Sequence, residues 1–219
     1  MVKLDVLSDP ICPWCLIGKT QLDRAIAARP DPVFEITWHP FQLNPDMPAE
    51  GMDRRAYLEA KFGGSDEAAS VYAGIDAAAR EQGLEIDFSA IARIPNTIDA
   101  HRLIHWAGIE GRQEAVVDAL FDAYFLGHRD IGKAETLADI ADEAGLDAAL
   151  ILRLLASDAD IAEIRGRDAE ARKMGVTGVP TFIVADQHAV PGAQPAEMWL
   201  KVMDEIAGLA PDDGAARDA

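Results

Sequence analysis

Cys12 and Cys15 are the only cysteines in the 219-residue chain, and they stand together as Cys12-Pro13-Trp14-Cys15. Two thiols separated by two residues can close a disulfide with each other when the second lies in the first turn of a helix. A helix start also presents unpaired N–H groups and the positive end of the helix dipole, both of which stabilise an anion. A thiolate is such an anion, and in these settings a cysteine pKa falls from about 8.5 toward about 3.5–7.5. The expected roles are Cys12 as the exposed nucleophile and Cys15 as its shielded partner one turn in. The same spacing also suits half a zinc site or two inert core thiols. A structural zinc site wants four ligands, and the sequence has no other cysteine to supply them.

The flanking sequence places the pair where the chemistry needs it. Val2 to Leu7 reads as a buried strand, and Leu16 to Ile26 has helical spacing with Leu22 and Ile26 on one face. A stop and turn at Arg29-Pro30-Asp31-Pro32 precede the alternating run Val33 to Trp38, a second strand parallel to the first across a βαβ crossover. His39-Pro40-Phe41-Gln42-Leu43-Asn44-Pro45 ends it.

From Asn44 to Met174 the chain reads as helices. They are expected at 53–62, from Ser65 as a cap to about 82, from an Asn96/Asp99 capping box to about 108, and at 112–126, 133–144, 147–156 and 158–174. Strand character returns at Thr181 to Ala185 and pairs as a hairpin with His188-Ala189-Val190. A last helix spans Pro195 to Ala207, and an acidic tail follows from Pro211. The order is strand, helix, strand, helical block, strand, strand, helix. Hence the expected class is α/β: a small domain of residues 1–43 and 175–210, opened to admit an all-helical insertion of residues 44–174, with the tail at 211–219.

Composition narrows the partners. A net charge of -18 argues against nucleic acid and against anionic membrane surfaces. No apolar run is long enough to span a bilayer. Strand-like sequence begins at Val2, without an export signal, so the expected location is a reducing cytoplasm, where a lone cysteine pair is catalytic rather than structural. His101 and His105 share a helical face at metal-ligand spacing, but with no third ligand evident they read as packing or cleft-lining residues, and no metal is expected.

This order, with the cysteine pair at the end of the first strand and Gly178-Val179-Pro180-Thr181-Phe182 entering the third, resembles the thioredoxin fold. More closely it resembles the DsbA family of dithiol–disulfide oxidoreductases, in the FrnE-like branch. The matching stretches are Ser8 to Cys15, Pro40-Phe41-Gln42-Leu43-Asn44-Pro45, Asn96-Thr97 with Ala100-His101-Arg102-Leu103, and Gly175 to Phe182. The resemblance implies a cis peptide bond before Pro180, facing the disulfide, with the backbone of Val179 exposed to pair with a substrate chain. It also implies a substrate groove shaped by Pro13, Trp14, Val179, Pro180 and the inner wall of the helical block. One departure concerns protons. Many relatives of this fold carry a buried acid six residues before the first cysteine, and here that position is Val6. Asp5 should point to the other face, Asp9 sits nearer the turn, and His39 reads as a partly exposed surface histidine.

The function expected from these residues is exchange of disulfides with protein or small-molecule thiols through Cys12 and Cys15, without a bound cofactor and with glutathione as a possible redox partner. Two alternatives differ in chemistry. One is a glutathione-dependent isomerase or transferase of the 2-hydroxychromene-2-carboxylate isomerase or kappa type, which generally has serine where Cys12 stands. The other is a binding module that uses the cleft without chemistry. The sequence leaves the oligomeric state open, a homodimer included.

Overall fold

The computed structural model describes residues 1–29 and 31–208. Pro30 in the first turn, and the expected acidic tail, lie outside them. The central sheet has strand order β2-β1-β5-β6. Strands β1 (Val2–Ser8) and β2 (Phe34–Pro40) are parallel neighbours, joined over helix α1 (Pro13–Ala27). On the other side of β1 runs β5 (Thr181–Val184), antiparallel, and β6 (His188–Pro191) closes the hairpin. Val6 is thus flanked by Trp38 and Phe182. With neighbours on both edges, β1 is buried from Leu4 to Ser8; Leu4 and Val6 turn to the main core, while Lys3 and Asp5 lie on the other face.

Helices α1 and α9 (Ala196–Ile206) pack together, and Leu4, Val6, Leu22, Phe182 and Trp199 share one core cluster with them. Phe182 is fully buried, with its ring edge against Trp199 at 4.8 Å between centroids. Burying such a ring contributes about 1.5–3 kcal/mol. The opposite face carries a second, smaller cluster, where Leu7 and Phe41 meet Ala171 of α8 (Ile161–Lys173).

Between β2 and β5 the chain is mostly helical: α2 (Arg54–Phe62), α3 (Ser65–Glu81), α4 (Ile98–Ile109), α5 (Gln113–Phe121), α6 (Ala134–Glu143), α7 (Ala148–Leu155) and α8. Three details depart from expectation. The stretch is not purely helical: β3 (Met52–Asp53) and β4 (Arg93–Ile94) form a separate two-residue antiparallel ladder, because backbone groups beside the α2 start and before Pro95 pair across the chain. Ser65 is the first residue of α3 rather than its cap, the cap position falling on Gly64. The helix expected to run to Leu126 becomes a π-helical turn over Asp122–Leu126. Asp53 and Asp147 do cap α2 and α7 through their side chains.

The sheet and the helices share one contiguous core, which continues from Leu4 and Cys15 to Leu103, Val116 and Phe121. A polar clamp adds to it. Lys19 of α1 is buried and places its ammonium 2.8 Å from Glu114 and 2.6 Å from Asp118 of α5, and 2.7 Å from Asp23. The helix that carries the cysteines is therefore fixed to the helical block as well as to the sheet.

Candidate active site: a dithiol at a helix start

Cys12 occupies the cap position of α1, with extended backbone angles, and Pro13 takes the first helical position, where its missing N–H costs nothing. Cys15 N–H donates to the Cys12 carbonyl at 3.0 Å, so the two residues sit one turn apart as the spacing implies. Both thiols are free. Cys15 is 1% exposed, and burial pushes its thiol up, with the adjacent Cys12 sulfur acting in the same direction. The Ser8 side chain and the Asp9 backbone amide are its partners against that shift.

Cys12 is not exposed as expected: it is 3% accessible. The cause is the segment entering β5. The Val179–Pro180 peptide is cis, and the Val179 carbonyl oxygen lies 3.6 Å from the Cys12 sulfur, where it accepts from the thiol. Pro180 is buried and half-buried Val179 packs beside it, while Trp14, two residues past Cys12, remains 40% exposed at the rim. The approach of this segment to α1 is close. A side chain added at Gly18 would meet the Pro180 ring at 3.1 Å and Phe182 at 3.4 Å. Next to Val179 and Pro180 an open cleft of about 560 Å3 runs between the 174–181 segment and the β5–β6 hairpin. Among its lining residues only Met174, at the end of α8, belongs to the 44–174 stretch.

The groups that could move protons are arranged differently from the sequence reading. Val6 faces the core shared with α1 and α9, and Asp5 points to the opposite face, where Lys3 and His39 each hold it at 2.8 Å. Burial raises the Asp5 carboxyl, but these two partners outweigh it and leave it below the usual range. His39 is no free surface residue: Nε2 faces Asp5, and Nδ1 accepts from Arg167 at 2.8 Å. The same guanidinium reaches His105 Nδ1 at 3.2 Å.

Asp9 is the acid that sequence reasoning passed over. It has no exposed surface and accepts from Leu43 N–H at 2.7 Å and Ile11 N–H at 3.3 Å. Burial nevertheless raises its carboxyl to about 7. Thr97 lies 3.5 Å from one carboxyl oxygen, and His101 Nε2 4.0 Å from the other. Gln42 donates to Thr97 and Asn96, and Asp168, held by Arg172, takes the Gln42 amide. Three of the four stretches that carried the resemblance thus meet around one carboxyl group. The signal was in those motifs, but the convergence needed the fold.

A four-stranded sheet with a dithiol at the first helix start, faced by a cis-proline segment, defines a protein of the thioredoxin fold. Residues 3–204 match the model of the DSBA-like thioredoxin domain, and the chain belongs to that family. A probable DsbA oxidoreductase of Streptomyces coelicolor, SCO1869, superimposes with a TM-score of 0.82 at 33% identity, over 95% of this chain and 91% of that one. The uncharacterized protein YwbO of Bacillus subtilis is 27% identical over 93% of this chain and 96% of its own length. The cytosolic disulfide reductase DsbM of Pseudomonas aeruginosa, solved with GSH, shares the fold at 16% identity with a TM-score of 0.61, over 94% of this chain and 96% of that one. Among the described residues, no helix is long and apolar enough to cross a membrane.

Proposed function

We propose that this protein is a dithiol–disulfide oxidoreductase working through Cys12 and Cys15. The observation that carries the reading is the asymmetry of the pair. One sulfur sits at the helix cap against the Val179 carbonyl, and the other is buried a turn deeper with its thiol pushed up. Family membership and the oxidoreductase relative support the same reading.

Cys12 as thiolate attacks a substrate disulfide and forms a mixed disulfide. Cys15 then displaces the substrate thiolate and leaves the protein oxidised, and the reverse sequence inserts a disulfide. Val179 and Pro180 receive the substrate backbone beside Cys12, Pro13 fixes the start of α1, and Trp14 borders the entrance. Protein disulfides and glutathione are the proposed exchange partners, in a cytoplasmic setting where a lone cysteine pair has a catalytic use.

The test is equilibration of the protein in glutathione redox buffers, read by tryptophan fluorescence and by alkylation with mass analysis. A single two-electron transition within the range of about −270 to −120 mV spanned by such dithiols supports the reading. A pair that neither oxidises nor exchanges with glutathione sinks it. Turnover of a chromene carboxylic acid with glutathione, in the absence of dithiol exchange, would favour the isomerase alternative instead.

A further inference from the structure

If Cys15 is to attack, its proton must leave, and a buried thiol whose pKa is pushed up does not lose it to solvent unaided. The position six residues before Cys12 holds valine, and His39 has both ring nitrogens engaged. Two other features lie close by. The first is a small cavity of about 10 Å3, room for one water, lined by Ser8, Trp38, His39, His101, Ile104 and Phe121 among others. Ser8, at the end of β1, is also the side chain that lowers the Cys15 thiol against the effect of burial. The second is His101, 3% exposed, whose Nε2 is fully buried, has no hydrogen-bond partner among the described residues, and lies 4.0 Å from the Asp9 carboxyl. A buried polar atom without a partner destabilises the fold, so its retention beside a carboxyl group asks for a use.

We propose that Ser8, His101 and Asp9 form the proton path of Cys15, leading through the water-sized cavity from the Ser8 hydroxyl to the His101 imidazole and the Asp9 carboxylate. This rests on the thiol–disulfide exchange proposed above. In the resolving step the Cys15 S–H bond breaks and its electron pair forms the new bond to the Cys12 sulfur. The bond from Cys12 to the substrate sulfur breaks, and the substrate leaves as a thiolate with that pair. The proton settles on Asp9. The cysteine pair loses two electrons and the substrate disulfide gains them, so no further reactant is needed. Running backwards, Asp9 returns the proton to Cys15.

The surroundings suit a proton acceptor rather than a fixed anion. Asp9 faces Thr97 and His101 from α4, and the Asp168 carboxylate of α8 opposes its ionisation. Tyr124 of the π-helical turn feels the Asp9 charge. On the His101 side, α8 supplies Asp168 and Arg167, β2 supplies His39 across the cavity, and α1 supplies the two cysteines beyond Ser8. Burial holds His101 down at about 4, so at neutral pH it is an uncharged imidazole that passes a proton without storing one. Asp9, raised to about 7, is poised between its two states at neutral pH.

The experiment is a single-turnover reaction of the reduced full-length protein with oxidised glutathione, quenched in acid and read by intact mass across pH. Asp9→Asn, His101→Gln and Ser8→Ala should each accumulate the glutathionylated intermediate, with resolution roughly 10²-fold slower than in the wild type. In the wild type the resolution rate should rise with pH through about 7, and this inflection should vanish in Asp9→Asn. A merely structural role would move neither the ratio of the two steps nor the inflection. Should Asp9→Asn not fold, Ser8→Ala leaves the Asp9 hydrogen bonds in place and carries the same test. Wild-type resolution with a wild-type pH profile in the folded variants overturns the proton path. A wild type that forms neither intermediate nor disulfide overturns the exchange reading itself.

Discussion

The Cys12 sulfur and the Val179 carbonyl oxygen lie 3.6 Å apart although 167 positions separate them in the chain. The Cys12 sulfur is thus held from two sides, by the start of α1 and by the segment that enters β5. In the exchange proposed above, a substrate sulfur reaching Cys12 would meet the Val179 backbone at the same moment. The contact also explains why Cys12 is buried while Trp14, further along the same turn, is half open to solvent.

The two cysteines should fail in different ways. Cys12→Ser should abolish reduction of the insulin disulfides, because serine supplies no thiolate. Cys15→Ser should keep the first attack and lose the intramolecular escape, accumulating mixed disulfides visible on a non-reducing gel after incubation with cell extract. Trapping by Cys12→Ser and not by Cys15→Ser would invert the roles.

Gly18 sets how closely the Pro180 segment approaches α1. A methyl group there meets the Pro180 ring at 3.1 Å and the backbone at Ala193 at 3.4 Å, so the segment must shift by a few tenths of an ångström. Overpacking costs about 1–3 kcal/mol, and alanine in a helix returns about 1 kcal/mol relative to glycine. Gly18→Ala should therefore change stability by no more than about 2 kcal/mol while slowing insulin reduction several-fold. Urea midpoints and initial rates, measured together, check it; an unchanged rate would show that the spacing does not matter.

Lys19 offsets three carboxylates that would otherwise repel one another. Lys19→Met should destabilise the protein by about 1–4 kcal/mol, between the values for an exposed pair and a fully buried one, since Asp23, Glu114 and Asp118 are each about half exposed. Raising the salt should shrink the deficit by screening the remaining repulsion. Urea denaturation at low and high salt reads both effects, and a variant as stable as the wild type would remove the clamp from the account.

Asp9 and His101 should make stability depend on pH with opposite signs. The Asp9 carboxyl is raised to about 7 in the fold against about 3.9 in the unfolded chain, so its contribution is full below about pH 3.9 and is lost as pH rises toward 7. His101 is lowered to about 4 from about 6.5, so its contribution is full above about pH 6.5 and is lost as pH falls toward 4. Between those limits the two partly cancel. Asp9→Asn removes one term, and the variant should gain on the order of 2–4 kcal/mol relative to the wild type between about pH 4 and pH 7.5. Denaturant midpoints at the two ends measure it. A constant difference would mean that Asp9 does not titrate in that window.

The elements themselves were legible in the sequence, for a local reason. Val2, Leu4 and Val6 alternate with Lys3 and Asp5 because one face of β1 packs on the main core, and the spacing after Cys15 is that of a helix packed on one side. The cysteine pair could be placed at the junction between them because strand and helix periods differ and change there. The helix boundaries that slipped, at Ser65 and beyond Phe121, depend on single turns whose hydrogen bonds the surroundings decide.

Thus the sequence by itself determined the order of elements, the dithiol and its position at a helix start, since each follows from residues near one another in the chain. Only the tertiary structure decided that Cys12 is covered, that His39 is tied to Asp5 and Arg167, and that Asp9, Thr97 and His101 meet. Those outcomes join residues some 30 to 170 positions apart, and burial, which sets the charge of Asp9 and His101, belongs to the packed whole rather than to any stretch of chain.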